Sequence, residues 1–345
     1  MADVTLTIDG KEVQVAPGTT ILKAAGKAGV RIPTLCYHPD LEPYGGCRLC
    51  IVKVEGMRGM PPACITQVAE GMQVTTEDEE ILETRKMVVR LLLADHPSDC
   101  LSCRANQDCE LQKLARELGV REHGMIPIER EGTIDESNPV FIRDMNRCVL
   151  CARCVKACDE ILGLHAIDFI RRGHQTEVGP FLGGDILKSI CESCGECVVH
   201  CPTGALYFRD VPPPVEREVK VVCPYCGTGC GILLGVRRDK VVSARGDRQN
   251  PVNRANLCVK GRFGSYQFIN DEKRLTAPLV RKDGELVEST WDEALDLVSK
   301  KFGEYKGDAF AAFSSAKVAN EDNYLLQKLT RAAQRSNNVD HCARL

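Results

Sequence analysis

The 345-residue sequence is poor in features that mark several common classes of protein. It holds one tryptophan and 5% aromatic residues, and its longest apolar runs, such as Met87 to Ala94, are far shorter than the roughly 18 residues of a membrane-spanning helix. Its first residues, MADVTLTIDGKEVQV, have neither the basic nor the apolar region of a secretory signal peptide. These absences predict a cytoplasmic protein without a membrane span.

An excess of charge is also missing. The 45 lysines and arginines are matched by 48 aspartates and glutamates, so the formal net charge is only -3. A field this weak attracts neither nucleic acid nor an anionic lipid surface, and we expect neither as a partner. The partners of the chain must therefore be sought through other chemistry.

Cysteine is the residue that the sequence has in excess, with twenty among 345 residues. Disulfide scaffolds of this density are short secreted proteins, which the N-terminal sequence argues against. Many of these cysteines are separated by two residues. In a reducing compartment that spacing is typical of ligands to a metal ion or an iron-sulfur cluster.

The first four cysteines follow a small predicted β-sheet. Alternating apolar residues on both sides of Asp9-Gly10 predict a hairpin, and a threonine-capped helix over ILKAAGKAG ends at Gly29. The cysteine spacings of ten, two and thirteen residues, with Gly45 and Gly46 freeing the backbone to aim amides at sulfur, favour a 2Fe-2S cluster over a structural zinc ion. The proposed ligands are Cys36, Cys47, Cys50 and Cys64. The segment resembles the N-terminal β-grasp ferredoxin module of the complex I large subunit.

A second set follows an amphipathic helix predicted over Glu77 to Asp95. One histidine and three cysteines fall within fourteen residues: His96, Cys100, Cys103 and Cys109. This spacing resembles the 4Fe-4S site with one histidine and three cysteine ligands in complex I large subunits and related hydrogenases and formate dehydrogenases. A lone histidine beside a helix is more often a cap or surface residue, but these cysteines otherwise lack a fourth ligand. Because imidazole is neutral where thiolate is negative, we expect it to raise the cluster potential.

The most specific pattern occurs twice, with spacings of two, two and three residues. The runs are Cys148, Cys151, Cys154, Cys158 and Cys191, Cys194, Cys197, Cys201, the second followed by Pro202. In two-cluster ferredoxins, which this pattern resembles, three ligands of each cluster come from one run and the fourth from the other. The resemblance implies one 4Fe-4S cluster on Cys148, Cys151, Cys154 and Cys201, and another on Cys191, Cys194, Cys197 and Cys158. Crossed ligands would tie both halves together, so loss of metal should unfold the module.

A stiff spacer of three prolines, Pro212 to Pro214, predicts a domain boundary. Beyond it, two predicted strands flank a glycine-rich loop with three cysteines, and a fourth follows twenty-seven residues later: Cys223, Cys226, Cys230 and Cys258. This arrangement resembles the N-terminal 4Fe-4S domain of molybdenum or tungsten bis-pterin oxidoreductases, especially formate dehydrogenases. In that family a basic residue two positions after the last ligand lies between cluster and pterin. The resemblance therefore implies an electron-relay role for Lys260, which would otherwise be read as a surface lysine.

The sequence thus predicts an α+β multidomain chain with one 2Fe-2S and four 4Fe-4S clusters, which use nineteen cysteines and His96 and leave Cys342 over. The expected order is a β-grasp 2Fe-2S ferredoxin (1–78), a histidine-ligated 4Fe-4S segment (79–120), a two-cluster 4Fe-4S ferredoxin module (138–210), a molybdopterin oxidoreductase 4Fe-4S domain (217–272) and the incomplete start of a pterin-binding α/β domain (273–345). In the last segment, helices starting at Trp291 and Asn320 are expected to flank a buried strand over DAFAAFSSA.

The final residues, NNVDHCARL, match a stretch that in formate dehydrogenases leads into a cysteine or selenocysteine that ligates the metal. The resemblance implies that this chain ends one residue before that position. Because selenocysteine is encoded by UGA, we expect an incomplete reading of a selenoprotein, with Cys342 a packed residue near the site. A deliberately shortened chain and a natural short subunit are the alternatives.

The resemblance implies a function for the whole. It is the oxidation of formate to CO2 at a molybdenum or tungsten bis-pterin guanine dinucleotide in the full-length protein, with electrons passed to a flavin- and NAD-binding iron-sulfur subunit or a hydrogenase subunit. The alternatives are a non-catalytic relay subunit, an NADH-quinone oxidoreductase large subunit and an iron hydrogenase. The last should show hydrogenase-cluster cysteine motifs after Pro214, where the Cys223 to Cys258 set stands instead. The residues leave open molybdenum or tungsten, the electron acceptor, the working direction and the oligomeric state.

Overall fold

The computed structural model describes residues 3–126 and 131–342. The chain forms two compact units, Met1–Val211 and Pro212–Leu345, divided at the proline-rich segment. Because proline fixes φ and lacks an amide hydrogen, this segment cannot continue a sheet from either side. No helix among the described residues has the length and apolar character needed to cross a membrane.

The first unit opens with the four-stranded β-grasp sheet predicted from the sequence. Its elements are β1 (Val4–Ile8), β2 (Lys11–Val15), α1 (Ile21–Lys27), β3 (Lys53–Val54) and β4 (Gln73–Thr75), with strand order β2-β1-β4-β3. The hairpin turn has positive φ at Asp9 (49°) and Gly10 (77°), as a two-residue turn requires. Thr20 caps α1 by accepting a hydrogen bond from the amide of Lys23. The long connection from α1 to β3 is left free to carry ligands.

Two helices follow, α2 (Glu79–Ala94) and α3 (Glu110–Glu117). Helix α2 begins after Asp78, whose carboxylate accepts a hydrogen bond from the amide of Ile81 at 2.8 Å. One apolar cluster joins both helices to the loops of the first sheet through Leu35, Leu49, Val89, Leu111 and Leu114. The helices therefore pack directly on the loops that carry the first cysteines.

The ferredoxin-like part is built from short elements: β5 (Ile134–Asp135), β6 (Phe141–Asp144), α4 (Arg153–Lys156), β7 (Asp168–Ile170), β8 (Glu177–Gly179), α5 (Glu196–Val199) and β9 (Leu206–Phe208). Strand β6 lies between β5 and β9 and runs antiparallel to both, while β7 pairs with β8. Its small core, around the fully buried Phe141, includes predicted ligands such as Cys154 and Cys197. Strands this short bury little apolar surface, so other interactions must hold the part together.

One such interaction is a buried ion pair between β5 and β6. Arg143 donates to Asp135 at 2.8 Å, and both side chains are 3% exposed. The same carboxylate accepts a hydrogen bond from the amide of Ile186 at 2.8 Å, and Arg143 also donates to the carbonyl of Val178. The pair thus joins three separate segments that surround the predicted cluster ligands.

The second unit begins with the antiparallel sheet β10 (Arg217–Val222), β11 (Gly231–Arg237) and β12 (Lys240–Gly246), followed by α6 (Ser265–Ile269) and the hairpin β13 (Leu279–Lys282) and β14 (Glu285–Glu288). Then come α7 (Trp291–Glu304), β15 (Ala312–Ser314), α8 (Asn320–Lys328) and β16 (Val339–His341). Across both units, π-helical turns cover Ala157–Ile161, Lys260–Gly264 and Leu329–Ala333, and 3₁₀ turns cover Cys100–Ser102, Met145–Arg147, Gly173–Gln175, Ile186–Lys188 and Gly307–Ala309.

The end of the second unit has the predicted α/β character. Strands β15 and β16 pair in parallel, with α8 between them in sequence. The strand expected over DAFAAFSSA is shorter and less buried than predicted, because Ala312 is buried while Phe313 is 78% exposed. Successive side chains of a strand point to opposite faces, so only one face of β15 is covered among the described residues.

Replacement of Asp135 by alanine should test the ion pair of β5 and β6. The change leaves the guanidinium of Arg143 buried without its carboxylate, which costs about 3–5 kcal/mol. We expect a clearly lower thermal midpoint for the iron-loaded chain in differential scanning calorimetry. Asp168→Ala, at an exposed position on β7, is the matched control, and equal midpoints for both variants would contradict the role assigned to the pair.

Candidate metal centres

The four cysteines of the first set lie together as two hydrogen-bonded thiol pairs. Cys36 pairs with Cys47, and Cys50 pairs with Cys64. The shared hydrogen bond lowers the pKa of Cys47 to about 6 and raises the pKa of Cys36, which burial raises further. The charge of Cys64 is coupled to the other three thiols. Four thiols this close form a ligand set that a soft metal centre can bind as thiolates.

The loop backbone aims amide groups at this set. The N–H groups of Gly46 and Cys47 donate to Sγ of Cys36. Gly45 has a φ of 69°, and a Cβ added to Gly46 would lie 2.3 Å from the Tyr44 ring. Neither glycine position therefore accepts a larger side chain unless the loop moves.

Arg85 on α2 clamps the loop that carries Cys47 and Cys50. Its guanidinium donates to the carbonyl of Leu49 at 3.1 Å and to the carbonyl of Ile51 at 2.8 Å. The residue is 4% exposed, and burial lowers its pKa. The buried charge is thus held by backbone dipoles of the ligand loop.

The role of Arg85 was missed in the sequence, because a basic residue in a helix usually faces solvent. A signal was nevertheless present. Arg85 lies four residues from Ile81 and four from Val89, and all three are buried on one face of α2. A charge on the apolar face of a helix indicates a buried partner.

His96 has the surroundings of a metal ligand. Its Nδ1 is buried and has no hydrogen-bond partner among the described residues. Burial, and then the charge of Arg147, lowers the pKa of the imidazole, which favours the neutral form that binds metals. The thiol of Cys109 lies within electrostatic range of Cys103 and Cys100. An orphaned buried nitrogen beside three thiols fits a cluster with one imidazole and three thiolate ligands.

Two contacts join this histidine-bearing loop to the ferredoxin-like part. Arg147 donates to both carboxylate oxygens of Asp99, at 2.7 and 2.6 Å. A Cβ added to Gly204 would lie 2.5 Å from Sγ of Cys103, so the backbone at Gly204 passes directly beside that sulfur. Any side chain there would displace a predicted ligand.

The eight cysteines of the repeated runs line two separate cavities of about 340 Å³ each. The first cavity is lined by Cys148, Cys151, Cys154 and Cys201. The second is lined by Cys158, Cys191, Cys194 and Cys197. The structure therefore brings together the crossed sets, in which each run supplies one thiol to the cavity of the other. Burial raises the pKa of Cys154 and of Cys197 well above the usual value, as expected for thiols enclosed without a metal.

Both runs share the same unusual backbone. The residues on either side of the second cysteine have positive φ: Leu150 (52°) and Ala152 (66°) in the first run, Ser193 (56°) and Gly195 (79°) in the second. The amides of Leu150 and Ser193 each donate to the preceding cysteine sulfur at 3.4 Å. A left-handed residue other than glycine costs about 1–2 kcal/mol. Its recurrence at matched positions shows that both loops follow one path around their cavity.

The fifth set gathers beside the sheet of the second unit. The thiols of Cys223, Cys226, Cys230 and Cys258 lie within electrostatic range of one another. Hydrogen bonds from Thr228 and, more weakly, the charge of Lys260 lower the pKa of Cys226. Lys260 is exposed, as are Cys226 and Cys258. This set is thus more open than the crossed pair.

Two further observations concern residues outside these sets. Cys342 is exposed, with its Sγ 3.3 Å from Oγ of Ser315. From sequence, His38 was interpreted as a structural or surface histidine. The structure places it with Asp40 and His200, whose possible metal-binding atoms all lie within 4.8 Å of one another. The latter grouping could not be seen in a local pattern, because it joins distant parts of the sequence.

Models of known families match five consecutive segments of the chain. They describe a 2Fe-2S iron-sulfur cluster binding domain (residues 1–79), the NADH-ubiquinone oxidoreductase-G iron-sulfur binding region (85–123), the ferredoxin-like domain of NADH-quinone oxidoreductase subunit 3 (138–207), the molybdopterin oxidoreductase Fe4S4 domain (216–271) and molybdopterin oxidoreductase (274–345). The chain is an iron-sulfur region of the NADH-quinone oxidoreductase-G and molybdopterin oxidoreductase type.

Similar proteins carry this iron-sulfur region under several names. The G 2 subunit of NADH-quinone oxidoreductase of Rhizobium meliloti is 39% identical over 98% of the chain, and the alpha subunit of NADPH-Fe(3+) oxidoreductase of Geobacter sulfurreducens is 39% identical over 99%. A putative formate dehydrogenase of Staphylococcus haemolyticus is 32% identical over 98%. The chain spans only 39% to 40% of the length of these relatives.

A solved structure also resembles the iron-sulfur region. A chain of the NAD+-reducing nickel-iron hydrogenase in its H2-reduced state aligns with 62% of this chain and 92% of its own length. The TM-score is 0.58 and the sequence identity is 31%. The similarity therefore covers most of that hydrogenase chain.

Replacement of Arg85 by methionine should weaken the first site specifically. Methionine keeps the bulk but leaves two buried carbonyls of the ligand loop without their donor, and loss of such outer contacts typically costs about 10–100-fold in metal affinity. We expect the EPR signal of the 2Fe-2S centre to decay at least about tenfold faster during exposure to a chelator. Arg90→Met on the same helix is the control, and equal decay in both variants would refute the clamp.

Replacement of His96 should distinguish a ligand from a packed histidine. His96→Ala should remove about four irons per chain, whereas His96→Cys should keep them and lower the potential of that centre, since thiolate adds negative charge. Iron analysis and an EPR-monitored redox titration measure both effects. His123→Ala is the control, and an unchanged iron content in His96→Ala would exclude ligation.

Proposed function

We propose that the chain is the electron-transfer region of a molybdopterin enzyme that oxidises formate to CO2. The observation that carries the proposal is the Cys223 to Cys258 thiol set, which is followed in sequence by the segment similar to molybdopterin oxidoreductase. Its place between that segment and the four other ligand sets suits a relay. Relatives named putative formate dehydrogenases, at 31% to 32% identity, support formate as the substrate.

The proposed complement is one 2Fe-2S and four 4Fe-4S clusters on the ligand sets drawn from the sequence. The two cavities of the ferredoxin-like part support the crossed assignment, with Cys201 completing the first site and Cys158 the second. The proposed domains keep their bounds at 1–78, 79–120, 138–210, 217–272 and 273–345. A molybdenum or tungsten bis-pterin guanine dinucleotide is proposed for the complete protein.

When bound, such clusters supply one-electron storage at potentials set by their ligands and surroundings. The residues of this chain set those surroundings. Amides such as those of Gly46 and Leu150 donate to ligand sulfur and so favour the more negative, reduced state. Neutral His96 removes one negative charge from its site and favours reduction there as well. Buried thiols such as Cys154 and Cys197 keep water away from the crossed pair.

Lys260 is proposed to assist the fifth site through its positive charge. It lies two residues after Cys258 and within electrostatic range of Cys226. A fixed cation beside thiolates favours the reduced state of a centre held there. Its exposure on the surface of the second unit leaves it accessible to a bound pterin.

The proposed partner is a flavin- and NAD-binding iron-sulfur subunit or a hydrogenase subunit. The similar chain in the NAD+-reducing hydrogenase and the relative named NADPH-Fe(3+) oxidoreductase support an NAD(P)-linked assembly. The residue balance of the chain, with a net charge of -3, offers no field for nucleic acid.

A second candidate function is NAD(P)H oxidation without formate, in the manner of an NADH-quinone oxidoreductase. Identity favours it, because the relatives named for NADH-quinone and NADPH-Fe(3+) oxidoreductase reach 39% against 32% for the putative formate dehydrogenase. The two candidates share every cluster and differ in the direction from which electrons arrive.

Selective reduction of the complete protein should separate the candidates. We expect about eighteen irons per chain, from one two-iron and four four-iron sites. Formate should reduce the 2Fe-2S centre, and Cys258→Ala should abolish reduction by formate but not by dithionite. Reduction by NADH or NADPH alone, with none by formate, would reject the first candidate, and far fewer irons would reject the five-cluster complement.

A further inference from the structure

A cluster of metal-binding side chains lies apart from the five sets. It contains His38, Asp40 and His200, with one possible ligand atom of each within 4.8 Å of the others. The two imidazole rings meet edge to face, with centroids 4.5 Å apart. Two imidazoles and one carboxylate are a donor set typical of zinc and of other divalent first-row metals.

His200 is prepared for ligation by its own helix. It is 4% exposed, and its Nδ1 lies 2.9 Å from the carbonyl oxygen of Glu196. A carbonyl can only accept, so Nδ1 carries the hydrogen and Nε2 keeps its lone pair. Metal-binding histidines almost always donate their second ring nitrogen in this way. The tautomer needed for a metal ligand is therefore already fixed.

His38 and Asp40 come from the loop that follows Cys36. Nδ1 of His38 lies 3.8 Å from Oδ2 of Asp40, and the side chains are 20% and 17% exposed. Two ligands of one zinc ion, each about 2.0–2.2 Å from it, stand roughly 3.3–3.6 Å apart in tetrahedral geometry. Small rotations of the side chains therefore suffice to close the site.

The loop is held against the ferredoxin-like part by contacts beyond this cluster. The amide of Glu42 donates to the carboxylate of Glu160 at 2.8 Å, and the ring of Tyr44 stacks on Phe169 with centroids 6.2 Å apart. His200 thus meets His38 because two parts of the first unit dock here. A metal at this junction would link them directly.

We propose that His38, Asp40 and His200 bind one zinc ion that ties the Cys36 loop to helix α5. The carboxyl group of Glu196, 1% exposed and 3.4 Å from Nδ1 of His200, supplies further negative charge beside the ion. Three protein ligands leave a fourth position for water. Because zinc has no redox chemistry, its role is to fix the ligand loop of the first set relative to Cys201.

The proposal is tested on the chain with its iron-sulfur clusters in place. Zinc is added without oxygen, excess metal is removed, and bound zinc is counted by mass spectrometry together with iron and sulfide. We expect about one zinc per chain, bound more than about tenfold less tightly in Asp40→Asn. His165→Gln, an exposed histidine that faces Asp159 at 3.0 Å, is the matched control and should bind zinc like the wild type.

X-ray absorption at the zinc edge distinguishes this site from zinc on stray thiols. Nitrogen and oxygen ligands at about 2.0–2.2 Å support the proposal, and sulfur ligands at about 2.3 Å overturn it. Zinc that is equally retained in Asp40→Asn and the control, or absent from the wild type, also overturns it. None of these outcomes depends on whether formate is the substrate.

Discussion

The first unit depends on one constraint, which is that four soft ligands must stand within bonding reach of each other while backbone amides point at their sulfur atoms. The positive φ values of Leu150 and Ala152, repeated at Ser193 and Gly195, meet this constraint in both ferredoxin-like loops. Burial alone would keep such thiols protonated, as the raised pKa of Cys154 indicates. Bound metal reverses that balance, so folding and metal binding are coupled.

Charged side chains replace a large apolar core as the means of holding these loops. Arg85 fixes the loop of the first set, and Arg143 with Asp135 joins three segments of the ferredoxin-like part. Arg153 donates to both carboxylate oxygens of Glu110, at 2.6 and 2.8 Å, and so ties α4 to α3. Each tie links neighbouring ligand sets, which gives the unit rigidity that its short strands cannot supply.

The relatives show why the iron-sulfur region does not by itself name a reaction. Similar chains occur in proteins named as NADH-quinone, NADPH-Fe(3+) and formate oxidoreductases. The sites described in this chain hold ligands, exclude water and set charge, which any of those reactions can use. Substrate choice therefore belongs to residues and partners beyond the 39% to 40% of each relative that the chain spans.

The sequence by itself determined the ligand-type residues, the β-grasp hairpin at Asp9-Gly10 and the order of modules, because cysteine spacing and short-period patterns are local. Tertiary structure decided which thiols share a cavity, as the grouping of Cys201 with Cys148 illustrates, although family resemblance had implied it. It alone revealed the burial of Arg85 against Leu49 and Ile51 and the meeting of His38 with His200. Such contacts join distant segments through packing, and no periodicity in the chain encodes them.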